Sequence, residues 1–295
     1  MALKPPRFTY ACPLTLAEAM RMLTEQPDAK ILAGGQSLMP MLNLRVAAPA
    51  ALVDINRIAE LSFIAIESGE IRIGAMTRHR TLETAPEIRA ALPMLARGAA
   101  EIGHVAIRNR GTIGGSLVHA DPAAEWPLLA MLLDAKLVAR SARGERTIAA
   151  RDFFLGPMTS AIEPGEILTE IRFPIAPSAT RFGFAEVCRR RGDFAIVAVA
   201  CVIGFDSRNR CICADISIGG AGPTPVIVHA AGAALTSTGT HRAIDAAAEM
   251  AAAEADPSAD IHASAEFRRH LVRVLTERAL RQCFDSTQVE EALDA

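Results

Sequence analysis

The chain has 295 residues, of which 51% are hydrophobic and 22% are charged, so it is long enough to bury a substantial core. Its formal net charge of −2 excludes a strongly basic protein that binds nucleic acid or an acidic membrane surface. No apolar run reaches the ~18 residues that a membrane-spanning helix needs, and the first residues lack the apolar region of a signal peptide. These properties predict a cytoplasmic protein with no membrane span and no nucleic-acid partner.

Residues 1–58 predict a small α/β module. A short strand precedes a helix for which Thr15 is the expected N-cap, with Glu18 placed to complete a capping box. A second apolar strand ends at Gly34–Gly35, where a helical turn begins shortly afterwards. Residues 51–55, ALVDI, predict a further buried strand.

Residues 59–175 predict a second module. Two alternating runs around Ser68–Gly69 indicate a β-hairpin. Helical patterns follow, and Asp121 with Pro122 is placed to begin a further helix as its N-cap and first residue. Three more strand patterns close the module.

Residues 176–295 predict a third module. Three strand patterns between residues 181 and 220 have the spacing of an antiparallel meander. Helical patterns follow over 241–255 and 265–284. Together the three modules predict an α+β protein.

The six cysteines are scattered, and only Cys211 and Cys213 lie close together in the sequence. No second pair completes a ligand set for zinc or an iron–sulfur cluster, and the seven histidines are dispersed. We therefore predict reduced thiols and no metal site in this chain.

Two segments share one pattern, in which an apolar run enters a Gly-Gly pair with a serine close behind. They are ILAGGQSL, residues 31–38, and TIGGSL, residues 112–117. Because glycine reaches positive φ and has no Cβ, consecutive N–H groups there can converge on an anion. A helix beginning just behind adds further donors. Either segment alone also fits a tight turn, but the two together favour a diphosphate.

Neither segment matches the dinucleotide fingerprint G-x-G-x-x-G, and no lysine follows either glycine pair as the G-K-[ST] of a P-loop requires, which excludes a P-loop. A diphosphate held mainly by backbone groups suits a bound dinucleotide cofactor better than a nucleotide that is hydrolysed.

The stretches AGGQSLMPMLNLR, LVDINRI, IRNRGTIGGSLVHADPAAEWP and RRRGDFAIVAVA carry a resemblance. In order and spacing the chain resembles the FAD-binding medium subunits of the molybdenum hydroxylases. That family includes the flavoprotein subunits of carbon monoxide, quinoline and nicotine dehydrogenases and the flavin domain of xanthine dehydrogenase. The resemblance covers almost all of residues 5–285. It implies a two-module FAD-binding domain of the vanillyl-alcohol-oxidase (PCMH) type, followed by a three-stranded antiparallel sheet with helices.

The resemblance also implies which residues hold FAD. The two glycine segments wrap the diphosphate from opposite sides, and Glu125 corresponds to a position that holds the adenosine ribose. Ile102 and Gly103 correspond to a stretch against the flavin, Leu168 to a residue that lines the cleft, and Asp193 to a loop near the isoalloxazine ring. The implied cofactor-binding residues are Ile31, Leu32, Ala33, Gly34, Gly35, Gln36, Ser37, Leu38, Ile102, Gly103, Thr112, Gly114, Gly115, Ser116, His119, Asp121, Glu125, Leu168 and Asp193.

Some of these residues and their neighbours also have simpler interpretations. His119 either contacts the cofactor or only hydrogen-bonds its loop, and Asp121 is also explained as a helix N-cap. Arg108 and Arg110 either neutralise phosphate or brace the loop. Trp126 is expected in the core or at an interface.

The third module departs from some relatives, which place an aromatic residue on the flavin face. Here that run is Glu186–Val187–Cys188, so the residue that packs on the flavin face stays open. Arg189–Arg191 forms either a solvated face, a subunit contact or part of the flavin surroundings. The four-cysteine iron–sulfur insertion of one branch is not expected here.

The implied function is electron transfer. In the family, a large subunit hydroxylates the substrate at a molybdenum–pterin centre, and the [2Fe–2S] clusters of a small subunit pass electrons to FAD in the medium subunit. The resemblance thus implies non-covalent FAD here, molybdenum–pterin and [2Fe–2S] clusters in partner subunits only, and a dimer of heterotrimers. We predict no catalytic acid–base residues in this chain. The hydroxylated substrate and the final electron acceptor stay open.

Two other functions fit parts of the pattern. An independent flavin oxidase of the vanillyl-alcohol-oxidase architecture would need a larger substrate domain and often a His or Cys bonded to the flavin. A non-catalytic nucleotide-binding module would need no intact pair of glycine segments. Bound yellow colour separates the last alternative from the others.

Overall fold

The computed structural model describes residues 4–238 and 241–284. Helices and strands occur largely in separate runs along the chain, and the two largest sheets are antiparallel, which confirms the α+β class. Three larger sheets follow one another in sequence, and each contains the strands of one predicted module. The boundaries at residues 58 and 175 stay predictions.

The first sheet is parallel, with strand order β1-β3-β2. Its group of elements comprises β1 (Thr9–Ala11), α1 (Leu16–Glu25), β2 (Ala29–Leu32), α2 (Leu38–Asn43) and β3 (Ala51–Asp54). Because successive side chains on a strand point to opposite faces, Val53 packs with helix α1 and Leu52 with the region of α2. The Thr15 cap is confirmed, since its hydroxyl accepts from the backbone N–H of Glu18 at 3.2 Å.

The second group contains a five-stranded antiparallel sheet with the order β4-β5-β10-β6-β7. Its elements begin with a 3₁₀ turn (Ala59–Leu61), β4 (Ile64–Glu67), β5 (Glu70–Gly74), α3 (His79–Thr84), α4 (Pro86–Ala91), α5 (Pro93–Glu101), α6 (Val105–Arg108) and α7 (Ile113–His119). They continue with α8 (Glu125–Leu132), β6 (Lys136–Ser141), β7 (Gly144–Ala149), α9 (Ala150–Phe153), β8 (Phe154–Gly156), β9 (Thr159–Ser160) and β10 (Ile167–Pro174).

Local sequence explains much of this module. The hairpin at Ser68–Gly69 is confirmed, and both residues have the positive φ that a tight two-residue turn requires. Helices α3, α5, α7 and α8 share one apolar core with the sheet. Trp126, Phe153 and Phe173 are the largest fully buried side chains in that core, so the core placement of Trp126 is confirmed.

The third group contains β11 (Thr180–Cys188), β12 (Ala195–Phe205), β13 (Cys211–Gly219), β14 (Val226–Ile227), α10 (His229–Thr238), α11 (His241–Glu254) and α12 (Ala265–Phe284). The three long antiparallel strands are confirmed, and the two-residue strand β14 adds a fourth at the edge. Strand β12 packs against α12 and also against α8 of the second group. Both of its faces are therefore covered, which explains its continuous apolar sequence.

One predicted boundary is wrong. Helix α8 begins at Glu125 with Ala124 as its N-cap, so Asp121 does not cap it. Instead the Asp121 carboxylate accepts from the backbone N–H of Ala123 at 2.9 Å and forms a turn before the helix. Helix α10 was not anticipated. Among the described residues, no helix is long and apolar enough to cross a membrane.

Candidate cofactor site

A cavity of about 510 Å³ opens where the first glycine segment meets the second module. Leu32, Ala33, Gly34, Gly35 and Gln36 line one side of it. The remaining lining comes from Met39, Pro40, Asn43, Asp54, Asn56, Ile107 and Arg110. Five consecutive predicted residues therefore line one cavity, together with Arg110, whose role the sequence left open, and six residues that were not predicted.

The first segment presents unpaired backbone donors at this cavity. Strand β2 ends at Leu32, and Gly35 turns the chain with a φ of +74°. In the described part of the chain, no acceptor takes the N–H groups of Gly34, Gly35 or Gln36. Backbone N–H groups that lack a protein partner are suited to an anionic ligand.

Gly34 is required because two backbones meet there. A Cβ at this position would collide with the carbonyl oxygen of Arg110 and lie 2.7 Å from the Cα of Gly111. A Cβ at Gly115 would lie 3.5 Å from the Cβ of Ala33. The two glycine segments therefore pack directly against each other, as their shared pattern predicts.

The second segment differs from the loop that we expected. Ile113 to His119 form helix α7, and Thr112 is its N-cap, with its hydroxyl accepting from the backbone N–H of Gly115 at 3.1 Å. The glycines pack closely instead of turning, since a Cβ at Gly114 would lie 2.5 Å from the Cβ of Ala75. The expectation of a glycine turn with converging donors is wrong for this segment.

The amides of this helix start are already bonded. The N–H of Ile113 donates to the carbonyl of Thr77 at 3.1 Å, and the N–H of Gly114 donates to the carbonyl of Ala75 at 2.9 Å. Gly115 is bonded to the Thr112 hydroxyl, as described above. The second segment therefore offers shape and hydroxyl groups to a ligand, whereas the first offers free N–H groups.

Arg78 joins the two segments. Its Nη1 donates to the carbonyl of Arg110, and its Nη2 donates to Oδ1 of Asn56 at 2.6 Å. The Asn56 side-chain amide in turn donates to the carbonyl of Ala33 at 2.8 Å and to Oδ1 of Asp54 at 2.6 Å. A continuous chain of hydrogen bonds thus runs from one glycine segment to the other.

The charges in this chain of contacts are unbalanced. Burial and the neighbouring Arg110 lower the pKa of Arg78, and Asp54 only partly opposes them. Burial alone would raise the pKa of Asp54, but hydrogen bonds from Tyr10 and Asn56 and the charge of Arg78 lower it overall. In the ranges the structure describes, neither Arg78 nor Arg110 forms an ion pair within 4.0 Å. This excess positive charge beside free N–H groups suits a diphosphate.

A buried histidine supports the second segment from behind. The backbone N–H of His79 donates to the carbonyl of Gly111 at 3.1 Å, and its Nδ1 accepts from the indole N–H of Trp126 at 3.0 Å. Burial, with the charges of Arg78 and Arg108, lowers the pKa of His79 to about 3, so the ring is neutral.

The structure gives different roles to Arg108 and Arg110, which the sequence could not distinguish. Arg108 binds the Glu83 carboxylate at 2.8 Å and the carbonyls of Ile102 and Gly103 at 3.2 and 2.9 Å, so it braces the loop. The Arg110 side chain lines the cavity and makes no hydrogen bond to any described residue. It is the arginine available to a phosphate.

A second group of predicted residues lies between the second and third modules. Gly103, at a φ of +50°, lies against the loop of Asp193, because a Cβ at Gly192 would be 3.1 Å from the Gly103 carbonyl carbon. Asp193 itself is exposed, while Ile102 and Gly103 are partly buried. The structure therefore brings the predicted Ile102–Gly103 and Asp193 segments together.

Glu125 is buried at the start of α8, with 5% of its surface exposed. Burial, followed by the charge of Glu186 and then that of Glu101 and Asp121, raises its pKa to about 8. Burial and Glu101 also raise the pKa of Glu186 to about 7, and Oε2 of Glu186 is buried with no hydrogen-bond partner. Orphaned polar oxygens of this kind are what a ribose or flavin hydrogen-bond donor would satisfy.

The remaining predicted residues have varied surroundings. His119 ends helix α7 and is partly buried, as is Ser116 one turn earlier. Leu168 lies on β10 with 4% exposure and belongs to the core of the second module. Its packing in the core does not by itself indicate a role at the cleft.

Sequence reasoning missed the polar residues beneath the cavity. Arg78, Asn56 and Asp54 lie outside both glycine motifs and follow no helical or strand period. One available signal was the segment LVDINRI, which places Asp54 and Asn56 directly after a buried strand. No comparable signal marked Arg78.

One glycine segment offers free backbone donors, the second packs directly against it, and the unpaired Arg110 lies at the same cavity. These are the features of a nucleotide-binding α+β protein. A family model described as the FAD-binding domain in molybdopterin dehydrogenase matches residues 6–176. A second model, the CO dehydrogenase flavoprotein C-terminal domain, matches residues 182–283. The chain belongs to the FAD-binding medium subunits of the molybdenum hydroxylases.

Individual relatives agree over nearly the whole chain. The 6-hydroxypseudooxynicotine dehydrogenase complex subunit alpha of Paenarthrobacter nicotinovorans is 40% identical over 295 residues, covering 99% of this chain and 100% of the relative. The carbon monoxide dehydrogenase medium chain of Hydrogenophaga pseudoflava is 37% identical, covering 94% and 96%.

Solved structures agree equally well. A chain of carbon monoxide dehydrogenase from Hydrogenophaga pseudoflava superposes with a TM-score of 0.92 at 37% identity, covering 95% of this chain and 98% of that one. A chain of quinoline 2-oxidoreductase from Pseudomonas putida 86 gives 0.92 at 36% identity, covering 96% and 99%. The predicted family, fold and FAD cofactor are confirmed, and so is a place in a multisubunit oxidoreductase.

Proposed function

We propose that FAD binds non-covalently with its diphosphate between the two glycine segments. The observation that carries this proposal is the cavity at which the free N–H groups of Gly34, Gly35 and Gln36 meet the unpaired guanidinium of Arg110. Ser37, Thr112 and Ser116 would add hydroxyl groups. His119, Asp121 and Leu168 are proposed as supporting residues at the edge of the site.

We assign the other predicted residues to the rest of the cofactor. Glu125 would accept hydrogen bonds from the ribose, and the adjoining Ile102–Gly103 and Asp193 segments would flank the flavin. When bound, FAD supplies the ability to take electrons singly and release them in pairs. The chain's own residues hold the cofactor, exclude water from it and set the surrounding charge.

We further propose that the chain assembles with a molybdenum–pterin subunit and an iron–sulfur subunit into a cytoplasmic dimer of heterotrimers. Its relatives belong to complexes named for 6-hydroxypseudooxynicotine and for carbon monoxide, at 40% and 37% identity. Such different substrates on such similar medium chains support the view that the partner subunit selects the substrate. The described residues contain no set of acid, base and nucleophile that would support chemistry on an organic substrate in this chain.

The test is an absorption spectrum of the purified chain, alone and with its co-expressed neighbours. We expect a flavin spectrum for the chain alone, released on denaturation, and iron–sulfur absorption and molybdenum only with the partners. Light scattering of the complex would give its stoichiometry. A chain that stays colourless and takes up no added FAD would overturn the proposal.

A further inference from the structure

Among the polar groups around the cavity, Arg78 is unusual because one nitrogen of its guanidinium bonds to the first module and another bonds to the second. One arm reaches the carbonyl of Arg110, next to the second glycine segment, and the other reaches Asn56 after strand β3. Arg78 itself stands just before helix α3, so it belongs to the second module while holding the first.

The contacts beyond these two arms lead to both glycine segments. Asn56 passes the connection on to the carbonyl of Ala33, which immediately precedes Gly34. On the other side, Arg78 also forms an isolated antiparallel bridge with Thr112, the N-cap of helix α7. The position of Ala33 relative to Thr112 is therefore fixed by the Arg78 guanidinium and the Asn56 side-chain amide.

This link matters because the segments contact each other with no side chain between them. Gly34 packs on the backbone of Arg110 and Gly111, so a small rotation of one module would separate them. An apolar cluster that includes Val53 of the first module and Met76 and Ile167 of the second also holds the modules together. Asn56 and Arg110, however, are exposed, so the hydrogen bonds of Arg78 set the fine register of the glycine contact. A planar fork that satisfies two fixed acceptors resists it better than a flexible ammonium group.

We propose that Arg78 is a positioning residue that clamps the two glycine segments in the register that receives the cofactor diphosphate. It acts through Asn56 and the Arg110 carbonyl and does not itself contact the cofactor. The inference rests on the proposed FAD site. It predicts that the affinity for FAD depends on the shape of the Arg78 guanidinium and not only on its charge. A site that is already ordered binds more tightly, because no binding free energy is used to order it.

The test measures the dissociation constant of FAD for the full-length chain stripped of flavin, by quenching of flavin fluorescence. Arg78→Gln, Arg78→Lys and Asn56→Ala should each raise Kd about tenfold, the order expected for losing a hydrogen bond to a charged group. Arg80→Gln is the matched control, because Arg80 lies two residues away and, within residues 4–238 and 241–284, its one ion pair is with Glu83 at 2.9 Å. It should stay within about twofold of wild type.

The double variant Arg78→Gln/Asn56→Ala tests the connection itself. If both residues act through one clamp, the Kd of the double variant for FAD should be no more than about twofold above the higher Kd of the two single variants. Circular dichroism on heating shows whether each variant folds. If Arg78→Gln does not fold, Asn56→Ala still decides the matter, since its exposed side chain is removed without opening the core.

Three results would overturn the clamp. Arg78→Lys could bind as tightly as wild type, which would mean that charge alone suffices. Arg78→Gln and Asn56→Ala could match Arg80→Gln, or the double variant could show the product of the two single effects. If wild type itself takes up no FAD, the proposed function has failed instead.

Discussion

The two glycine segments carry the same short pattern but use it for different physical ends. In the first, Gly35 turns the chain at positive φ, and the N–H groups around it find no acceptor among the residues that the structure describes. In the second, the glycines lie inside a helix whose first amides are bonded to Thr77, Ala75 and Thr112. The first segment is therefore a donor surface and the second is a close-packed support for it.

Two acidic residues of the proposed site also differ from each other. Asp54 is held as a carboxylate by hydrogen bonds from Tyr10 and Asn56, which lower its pKa. Glu125 is buried beside Glu186, which raises its pKa to about 8. The Asp54 carboxylate thus has its hydrogen-bond donors within the protein, whereas beside Glu125 the buried Oε2 of Glu186 has no partner among the described residues.

The sharpest way to break the comparison is Gly34→Ala. Its Cβ would meet the backbone of Arg110 and Gly111, which cannot move aside as a flexible side chain could. We expect loss of FAD binding and a stability loss of about 3 kcal/mol or more, measured by fluorescence titration and urea unfolding. Gly156→Ala is the control, since a Cβ there meets nothing within 4 Å. Equal behaviour of the two variants would refute the close approach.

Glu125→Gln tests the buried carboxyl group through pH. Its folded pKa of about 8 lies above the ordinary 4.5, so between these values the native state binds more protons than the unfolded state. Stability of the flavin-free chain should therefore fall as pH rises from about 4.5 towards 8, by up to about 1.4 kcal/mol per pH unit from this group. The variant should show a flatter profile.

Glu186 provides the control for that experiment. Its pKa of about 7 makes it contribute in the same direction, but mainly below pH 7. Glu186→Gln should therefore flatten the profile mainly below pH 7. Because the charge of Glu186 helps to raise the pKa of Glu125, this variant should also shift the remaining slope towards lower pH, whereas Glu125→Gln should remove the slope between pH 7 and 8. Identical slopes for both variants and wild type above pH 7 would contradict the raised pKa of Glu125.

Gly35→Ala should have a smaller effect. A left-handed backbone at φ +74° costs an alanine about 1–2 kcal/mol, and its Cβ would meet Leu32 and Met39 side-chain carbons at 3.3 Å. Gly35→Asn should lose less, because asparagine tolerates this conformation better. Urea unfolding of the flavin-free chain measures both. An alanine variant that is as stable as wild type would argue against the turn.

The mildest change contrasts the two helix starts. Thr112→Ala removes a hydroxyl that caps α7 and should cost about 1 kcal/mol in urea unfolding. Ser37→Ala occupies the equivalent position before α2, where the side chain makes no cap hydrogen bond, and should cost less than about 0.5 kcal/mol. A larger loss for Ser37→Ala than for Thr112→Ala would reverse the assignment of roles.

Sequence was sufficient where the cause of structure is local. The Ser68–Gly69 turn, the Thr15 cap and the apolar run of β12 each follow from neighbouring residues. The helix at Ile113 was missed because glycines weaken helix propensity, and its stability comes instead from bonds to Ala75 and Thr77, nearly 40 residues earlier.

The same reason explains which part of the site was predictable. The first segment was correctly expected at a cavity because its turn chemistry lies within eight residues. Arg78 and Asn56 are separated from each other by 22 residues, and their pairing depends on how two modules meet. A single sequence has no periodic signal for such a meeting.

Strand β10 has a consequence for how the chain is made. It is the last strand of the second module in sequence, yet it lies in the middle of the sheet, between β5 and β6. Until Ile167–Pro174 leaves the ribosome, the nascent chain holds two hairpins with unpaired edges facing each other. Completion of this sheet must wait for pairings about 100 residues apart, such as that between Arg72 and Arg172. This long separation makes closure slow and exposes those edges to aggregation. Chains that end before residue 167 should therefore be insoluble, whereas the hairpins they contain are complete.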